Sequence, residues 1–367
     1  MFSVPTVFIL GAGASWHYGY PTGETLVKKV IEKAEIAAAF FKWSSENANG
    51  NFPQLLLETT KNQDWRQRWI ALHDQCERLK RGLQQVNPLV IDYYLGWNAD
   101  LQEIGRVLIT WVILECEDQS RGVNINQKTI TTGRLEPLSE TRDDWCRFII
   151  HQLAIHCQTS KDILSNKVSF VTFNYDVSLE VALKAGLQHI QMFDESDVEK
   201  FLDGSRIVHI YGKVRDIKSI RAQVKWPNSN PIDTSRIDFC SFLDVVYSAS
   251  KGIRVIDPHD KGANGDDLTI AQTQIHAARR VFILGYGFDE HNSERLRLNE
   301  ALKYGGNSPK MVAFTNFGDI NQVNKRASKV LFGNTASFPP NGQSIAYHAE
   351  KSTRNAYDAL ALDFDIA

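Results

Sequence analysis

A glycine-rich loop near the start of the chain has the composition of a phosphate-binding turn. Gly11, Ala12 and Gly13 follow a short apolar run and precede a segment with helical spacing. Because glycine lacks a Cβ, the backbone amides of such a loop can approach a pyrophosphate at the start of a helix. Trp16 stands where the dinucleotide-binding fingerprint has its third glycine, and no Walker A lysine follows. We predict a nucleotide-binding loop, with a tight turn that holds no ligand as the alternative.

A pair of polar residues follows an apolar run in the middle of the chain. Asn174 and Asp176 come after the strand-like segment 168–173 and directly before the helical segment 177–185. An asparagine amide both donates and accepts hydrogen bonds, which an ionised carboxylate cannot do. Both residue types are also favoured as helix caps, and taken alone the pair is more simply interpreted that way.

His209 and Tyr211 lie two positions apart in a third strand-like run, 206–211. Side chains at this spacing share one face of a strand and are about 6.6 Å apart along it. Histidine takes up a proton near neutral pH, whereas a tyrosine with its pKa of about 10 would need strong perturbation. His209 is therefore the better candidate for a base, and a buried histidine bonded to a backbone carbonyl is the alternative.

Two later strand-like runs, which we place at 281–284 and 311–315, end in turns that could contact a nucleotide. Aspartate can also cap the helix that follows such a turn, and threonine and asparagine are common in turns of any kind. The candidate contacts in these turns are Gly285, Gly287, Asp289, Thr315 and Asn316.

Strands alternating with helices must position these candidates. The alternation occurs at the start of the chain and again after residue 166, and it predicts an α/β fold, a Rossmann-like parallel sheet with helices on both faces. We predict that 1–23 and 166–367 form one nucleotide-binding domain and that 24–165 is a helical insertion domain. Asp92 in the insertion would face the pocket if the insertion closes over it, and otherwise is a solvated helical residue.

Four more segments belong to the predicted elements. Apolar spacing predicts continuous helices over 89–116, 293–302 and 320–331 and a short strand over 254–256.

Composition excludes several classes of protein. The 367 residues are 43% apolar and 23% charged, as in globular proteins. Lys and Arg number 41 against 43 Asp and Glu, so we expect no nucleic-acid binding by bulk charge. Apolar runs are far shorter than the roughly 20 residues of a membrane span. The five cysteines form no C-x-x-C pair, which predicts reduced thiols in a cytoplasmic protein and no zinc ribbon, and we predict no metal site.

Three motifs, in this order along the chain, together resemble signature segments of the sirtuin family. They are Gly11-Ala12-Gly13-Ala14-Ser15 with Gly19-Tyr20-Pro21, then Thr172-Phe173-Asn174-Tyr175-Asp176, and then Val208-His209-Ile210-Tyr211-Gly212. The corresponding family segments are a Gly-Ala-Gly-x-Ser loop that ends in Gly-Ile-Pro, a Thr-Gln-Asn-x-Asp segment, and a strand that delivers a His-Gly pair. The later turns fall where the family has a second glycine turn and an asparagine that contacts ribose.

The departures from the family pattern point to one branch of it. Deacylases of the family carry a four-cysteine zinc ribbon, which the cysteines here cannot form, and Thr22, Gly23 and Glu24 replace the family's Asp-Phe-Arg. The chain resembles bacterial sirtuin-like proteins of antiphage defence that degrade NAD. Its length resembles the short effectors, which pair with a HerA-type ATPase or an Argonaute.

This resemblance implies a NAD+ hydrolase (NADase) that releases nicotinamide and ADP-ribose and depletes NAD, its substrate. It implies that Asn174 binds the ribose or positions water and that Asp176 accepts the carboxamide NH2. His209 is expected as base or ribose partner, with Tyr211 as the second choice, since Tyr211 holds the family's histidine position. A homo-oligomer is expected, and a non-catalytic scaffold that binds NAD or ADP-ribose for an ATPase is the alternative. Further nucleotide contacts are implied for Gly11, Ala12, Gly13, Ser15, Pro21, Thr22, Gly285, Gly287, Asp289, Thr315 and Asn316.

Overall fold

The structure, a computed structural model, describes most of the chain. The described residues are 1–47, 64–120, 144–203, 205–214, 236–255, 266–303, 310–332 and 347–364. They contain six strands: β1 (Thr6–Leu10), β2 (Val168–Thr172), β3 (Ile207–His209), β4 (Arg280–Leu284), β5 (Lys310–Thr315) and β6 (Tyr347–Ser352).

The helices fall into two groups, before and after β2. Those before β2 are α1 (Gly23–Asn47), α2 (Trp65–Val86), α3 (Ile91–Trp97), α4 (Gln102–Ser120) and α5 (Trp145–Ala154). Those after it are α6 (Ser178–Gln188), α7 (Glu195–Leu202), α8 (Arg236–Ser250), α9 (Asp266–Ala277), α10 (Glu290–Arg295), α11 (Leu298–Lys303), α12 (Asn321–Phe332) and the short α13 (Ala356–Asp358).

The six strands form one parallel sheet in the order β3-β2-β1-β4-β5-β6. This is the strand order of Rossmann-type sheets, and the predicted α/β class is confirmed. Because β1–β3 and β4–β6 run outward in opposite directions from the centre, right-handed crossovers place helices on both faces. Every residue of β1 is buried, as a strand covered on both faces requires.

A ladder of three phenylalanines pins the register at the centre of the sheet. Phe8 of β1 pairs with Phe170 of β2 on one side and with Phe282 of β4 on the other. The ring centroids lie 5.4 and 5.1 Å apart, and all three side chains are fully buried. A one-residue slip would turn each ring to the opposite face, so the ladder also fixes which turn follows each strand.

The helices of the region 24–165 share a core with a helix from outside it. Phe239 of α8 stacks on Phe40 of α1 with ring centroids 4.0 Å apart, and Phe242 of α8 lies 5.0 Å from Trp111 of α4. A helix that follows β3 therefore completes the packing of this region. The proposed domain boundaries stay a prediction.

Two predicted helices are broken, which corrects the sequence-based assignment. The segment 89–116 forms α3 and α4, separated at Asn98, whose backbone N–H bonds back to Leu95. The segment 293–302 lies across α10 and α11, separated at Arg297, where φ is +49°. Apolar spacing continues through both breaks, so periodicity alone does not reveal them.

One predicted strand was also wrong, and one observed strand was not predicted. Residues 254–255 of the expected strand 254–256 lie outside the sheet, and residue 256 lies outside the described residues. Only the neighbouring Ile253 makes an isolated antiparallel bridge, to Gly212. Strand β6 was not expected, because its sequence Tyr-His-Ala-Glu-Lys-Ser lacks an apolar run, as a strand at the edge of a sheet can.

Candidate active site

A cavity of about 790 Å³ opens at the carboxyl ends of β1 and β4, where the strand order reverses. Ligands of open parallel sheets bind at this position, and the volume lies within the usual range for small-molecule sites. Twelve of the fifteen predicted site residues line it: Gly11, Ala12, Gly13, Ser15, Pro21, Thr22, Asn174, Asp176, Tyr211, Gly285, Gly287 and Asp289. His209, Thr315 and Asn316 do not.

The glycines of the two turns are required by the contact between the turns. A Cβ on Gly11 would lie 2.5 Å from the carbonyl oxygen of Gly285, and one on Gly13 would lie 2.8 Å from its Cα. Gly285 itself has φ of +59°, and a Cβ there would lie 2.1 Å from the backbone nitrogen of Ala14. The two turns therefore interlock backbone to backbone, which only glycine permits.

Most backbone amides of the first turn are already bonded within the protein. The N–H groups of Gly11 and Gly13 donate to Leu284 and Gly285, and those of Ala14 and Ser15 donate to carbonyls of the turn itself. The expectation that a row of bare amides faces a pyrophosphate is therefore wrong for these four donors. The glycines serve the contact with Gly285 instead.

Asn174 is held in a defined orientation beside this turn. Its Nδ2 donates to the carbonyl oxygen of Gly11 at 3.1 Å and to Oγ of Ser15 at 2.9 Å. A carbonyl oxygen only accepts, so the nitrogen of the amide must face Gly11. The side-chain oxygen Oδ1 is therefore left as the acceptor that a ligand can use.

Asp176 is buried and bonded to the same serine. Its Oδ1 accepts a hydrogen bond from Oγ of Ser15 at 3.2 Å and others from the backbone N–H and hydroxyl of Ser178 at the start of α6. Burial raises the pKa of Asp176, and the hydrogen bonds from Ser178 and Ser15 oppose this. The N-cap of α6 is Val177, so Asp176 is not the cap itself but bonds the first backbone N–H of the helix from the preceding position, and it also lines the cavity.

The structure places His209 behind the cavity wall. Its Nδ1 lies 2.9 Å from the carbonyl oxygen of Asn174, and its Nε2 lies 2.9 Å from Oε1 of Glu180, which also pairs with Lys213. Burial would lower the pKa of His209, but the carboxylate of Glu180 raises it above its ordinary value. With both nitrogens engaged, the buried alternative describes His209 better than the base does.

Tyr211 does line the cavity, but as a neutral phenol. Its hydroxyl donates to Oδ1 of Asn292, and its ring lies below the guanidinium of Arg295, 5.8 Å from the centroid. Burial raises the pKa of Tyr211 well above its ordinary value, although Arg295 opposes the shift. Its phenolate is therefore not available as a base near neutral pH.

Of the polar side chains in the later turns, Asp289 lines the cavity, whereas Thr315 and Asn316 do not. Thr315 accepts the N–H of Gly285 at 2.9 Å, so it acts on the glycine turn from behind. Asn316 bonds to Ile320 in its own turn and to Asn324 of α12. Asp289 caps α10 through the N–H of Asn292, as the alternative interpretation expected, and lines the cavity as well.

The remaining predicted contacts lie on the rim. Pro21 and Thr22 lead into α1, and the carbonyl of Thr22 accepts the N–H of Leu26. The hydroxyl of Thr22 lies 3.4 Å from that of Thr25. A Cβ on Gly287 would meet nothing within 4 Å, so packing does not require glycine there.

Helix α3 contributes cavity residues that the sequence analysis left open or missed. Asp92 is buried and accepts a hydrogen bond from the hydroxyl of Tyr175, the residue after Asn174. Tyr93 donates to Asp289 across the cavity wall. Burial raises the pKa of Asp92 to about 6, despite the hydrogen bond from Tyr175. Helix α3 therefore closes over the sheet edge.

Arg326 of α12 is the basic side chain among the described cavity residues. It is half-buried and shares the cavity with the acids Glu24, Asp92, Asp176 and Asp289. No sequence motif marked it, because a lone arginine on an amphipathic helix is usually a solvated residue.

Two further properties concern the described residues as a group. They contain no cluster of three or more His, Cys, Asp or Glu that could hold a metal ion. None of their helices is both long and apolar enough to cross a membrane.

Comparison with known proteins found no matching family, no matching curated protein and no matching solved structure.

Proposed function

We propose that the chain is a NAD+ hydrolase that cleaves the bond between nicotinamide and ribose. The observation that carries this proposal is the fixed amide of Asn174, held by Gly11 and Ser15 in a cavity of nucleotide size. The cavity lies where sheets of this strand order bind dinucleotides. Orientation of this kind is what a bond-cleaving site requires of a side chain that touches substrate.

The charges of the cavity support the same substrate. NAD+ carries a positive pyridinium ring and a negative pyrophosphate. Asp92 and Asp176 supply negative charge, and Arg326 supplies positive charge. A cavity with both signs of charge complements a ligand with both signs better than it complements a simple anion.

The proposed chemistry assigns each group a limited task. When the glycosidic bond breaks, the bonding electrons leave with nicotinamide and positive charge develops on the ribose carbon. Asn174 accepts a hydrogen bond from the ribose or from the attacking water through Oδ1, while Ser15 holds the amide in place. Asp176 accepts from the carboxamide N–H. Tyr211 forms part of the wall.

The biological setting rests on the motif resemblance. We propose that the enzyme is cytoplasmic, forms homo-oligomers and depletes NAD as an effector of antiphage defence. Uncontrolled hydrolysis would drain the cell of NAD. Activity is therefore expected to depend on a partner such as a HerA-type ATPase.

One observation favours a second candidate function. His209 has both ring nitrogens engaged, and Tyr211 stays protonated, so neither predicted ring side chain offers a base to the cavity. A protein that binds NAD or ADP-ribose without turnover, as the scaffold of an ATPase, would have such a site.

Turnover and binding assays with matched variants separate the two functions. Wild type, Asn174→Ala and the exposed control Asn47→Ala are incubated with NAD+, alone and with the candidate ATPase, and nicotinamide is measured by chromatography. Calorimetry measures binding of NAD+ to the same proteins. Release that only Asn174→Ala abolishes supports the hydrolase. Binding by wild type without release under either condition supports the scaffold.

A further inference from the structure

Four acidic side chains line the cavity, and they differ in how much of their acceptor capacity is used. Glu24 is exposed and paired with Lys28 at 2.7 Å, which lowers the pKa of Glu24. A carboxylate that is already ion-paired in water is a poor proton acceptor near neutral pH.

Two of the remaining acids have structural partners. Asp176 accepts from Ser15 and twice from Ser178, and thereby holds the start of α6. Asp289 accepts from Tyr93 and from the backbone N–H of Asn292, and thereby caps α10. Both carboxylates are therefore already engaged at the start of a helix.

Asp92 differs from these acids. Among the described residues, the hydroxyl of Tyr175 is its one side-chain partner, whereas Asp176 accepts three hydrogen bonds and Asp289 accepts two, all through Oδ1. Asp92 lies in the first turn of α3 and is 6% exposed, in the wall of the cavity that Asn174 lines. Because Tyr175 follows Asn174 directly in the chain, the bond to Asp92 ties α3 to the loop that carries the proposed substrate contact.

From this arrangement we infer that Asp92 is the catalytic residue that accepts the proton of the attacking water. The inference rests on the proposed hydrolase and deepens it. The water oxygen forms a bond to the ribose carbon, and the bond from that carbon to the nicotinamide nitrogen breaks. The bonding electrons neutralise the pyridinium ring, and the water proton moves to the carboxylate of Asp92. The products are nicotinamide and ADP-ribose.

The surroundings of Asp92 suit this role. Burial brings its pKa to about 6, so the group is mostly ionised at neutral pH yet remains basic enough to take a proton. On α4, which packs against α3, the carboxylate of Glu103 accepts a hydrogen bond from the hydroxyl of Tyr247. The titratable or charged side chains that share the cavity with Asp92 are Tyr20 before α1, Glu24 on α1, Tyr93 on α3, Tyr175 and Asp176 after β2, Tyr211 after β3, Tyr286 and Asp289 after β4, and Arg326 on α12.

The test is the pH dependence of nicotinamide release by wild type, Asp92→Asn, Tyr175→Phe and Asp100→Asn. Asp100 is an exposed residue paired with Arg78 and serves as the matched control. We expect wild-type kcat to fall about tenfold per pH unit below about pH 6. Asp92→Asn should lower kcat by about 10²–10⁴-fold and should lose this acid limb.

Tyr175→Phe keeps the carboxylate of Asp92 and removes the hydroxyl that donates a hydrogen bond to it. It should raise the pKa of Asp92 and move the acid limb of the pH profile to higher pH. The pH profile of Tyr175→Phe tests the role of Asp92 even where Asp92→Asn does not fold. Asp100→Asn should match wild type. An unchanged acid limb in both Asp92→Asn and Tyr175→Phe overturns the role of Asp92 and leaves the hydrolase intact. No nicotinamide release by wild type, alone or with the candidate ATPase, overturns the hydrolase and this inference together.

Discussion

The imidazole of His209 is bonded to the backbone of Asn174, with Nδ1 2.9 Å from the carbonyl oxygen of that residue. The other ring nitrogen is paired with the buried carboxylate of Glu180. His209 therefore fixes the main chain of the residue that we propose touches substrate. It does so through the hydrogen bond at Nδ1, while Glu180 holds the other side of the ring, and His209 does not line the cavity.

Replacing His209 should cost stability in a pH-dependent way. His209→Gln leaves Glu180 buried with Lys213 as its remaining partner, and removing one member of a buried pair costs about 3–5 kcal/mol. Because the folded-state pKa of His209 is raised, the contribution of its charge is complete below the unfolded pKa of about 6.5 and is lost as pH rises through the folded value.

Urea unfolding of His209→Gln and wild type between pH 6 and pH 9 measures this effect. We expect the difference in the free energy of unfolding to shrink as pH rises. The exposed His189→Gln is the control and should follow wild type throughout. A pH-independent difference would show that His209 is not held as a charged partner of Glu180.

Asp92→Asn should change stability relative to wild type in the same direction with pH, but over a lower pH range, because the pKa of Asp92 is also raised on folding. The pKa of Asp92 is raised from 3.8 to about 6 by burial, so its contribution is complete below about pH 3.8 and is lost as pH rises through 6. A shift of this size corresponds to about 3 kcal/mol. Relative to wild type, Asp92→Asn should therefore gain about 2–3 kcal/mol in unfolding free energy between pH 4 and pH 7, measured by urea unfolding. A constant difference would contradict the buried, charged state of Asp92.

The interlocked glycine turns predict a contrast between two alanine variants. Gly285→Ala places a Cβ 2.1 Å from the nitrogen of Ala14 at a positive φ, and we expect a loss of about 2–4 kcal/mol from strain and overpacking. Gly287→Ala has open space and should unfold within about 0.5 kcal/mol of wild type. Urea unfolding of both variants measures the contrast, and equal losses would contradict the interlocking.

Arg326 should affect substrate binding rather than the chemical step. Arg326→Gln removes the cation of the cavity, and loss of a charge-assisted hydrogen bond to phosphate costs about 1.5–3 kcal/mol. We expect Kd for NAD+ to rise about 10–100-fold, with kcat nearly unchanged. Lys325→Gln, an exposed neighbour on the same helix, is the control for bulk charge. An unchanged Kd in Arg326→Gln would place the phosphates elsewhere.

The sequence predicted the parts of the site that follow directly from strand ends. Short apolar runs mark β1, β2, β4 and β5, and parallel strands bring their carboxyl ends to one edge, so Gly11, Asn174 and Gly285 were expected together. Phe8 and its two partners fix the register of the sheet, so the positions of these three residues follow from where the strands end in the sequence.

The rest of the site depends on contacts that spacing does not encode. His209 and Tyr211 both lie along one strand-like run, but they have different surroundings. His209 is bonded to Glu180 of α6, whereas Tyr211 lines the cavity. Asp92 enters the site only because α3 folds over the sheet edge and meets Tyr175, a pairing across 83 positions of sequence. Strand β6 has the polar composition of a loop and becomes a strand by pairing with β5.

The most direct test of the account is NAD+ turnover in heavy-oxygen water by wild type and Asn174→Ala, each alone and with the candidate ATPase. We expect wild type to release equal amounts of nicotinamide and ADP-ribose, with the heavy oxygen on the ribose carbon, and Asn174→Ala to release neither. Absence of wild-type release under both conditions, or release that Asn174→Ala retains, would contradict the account.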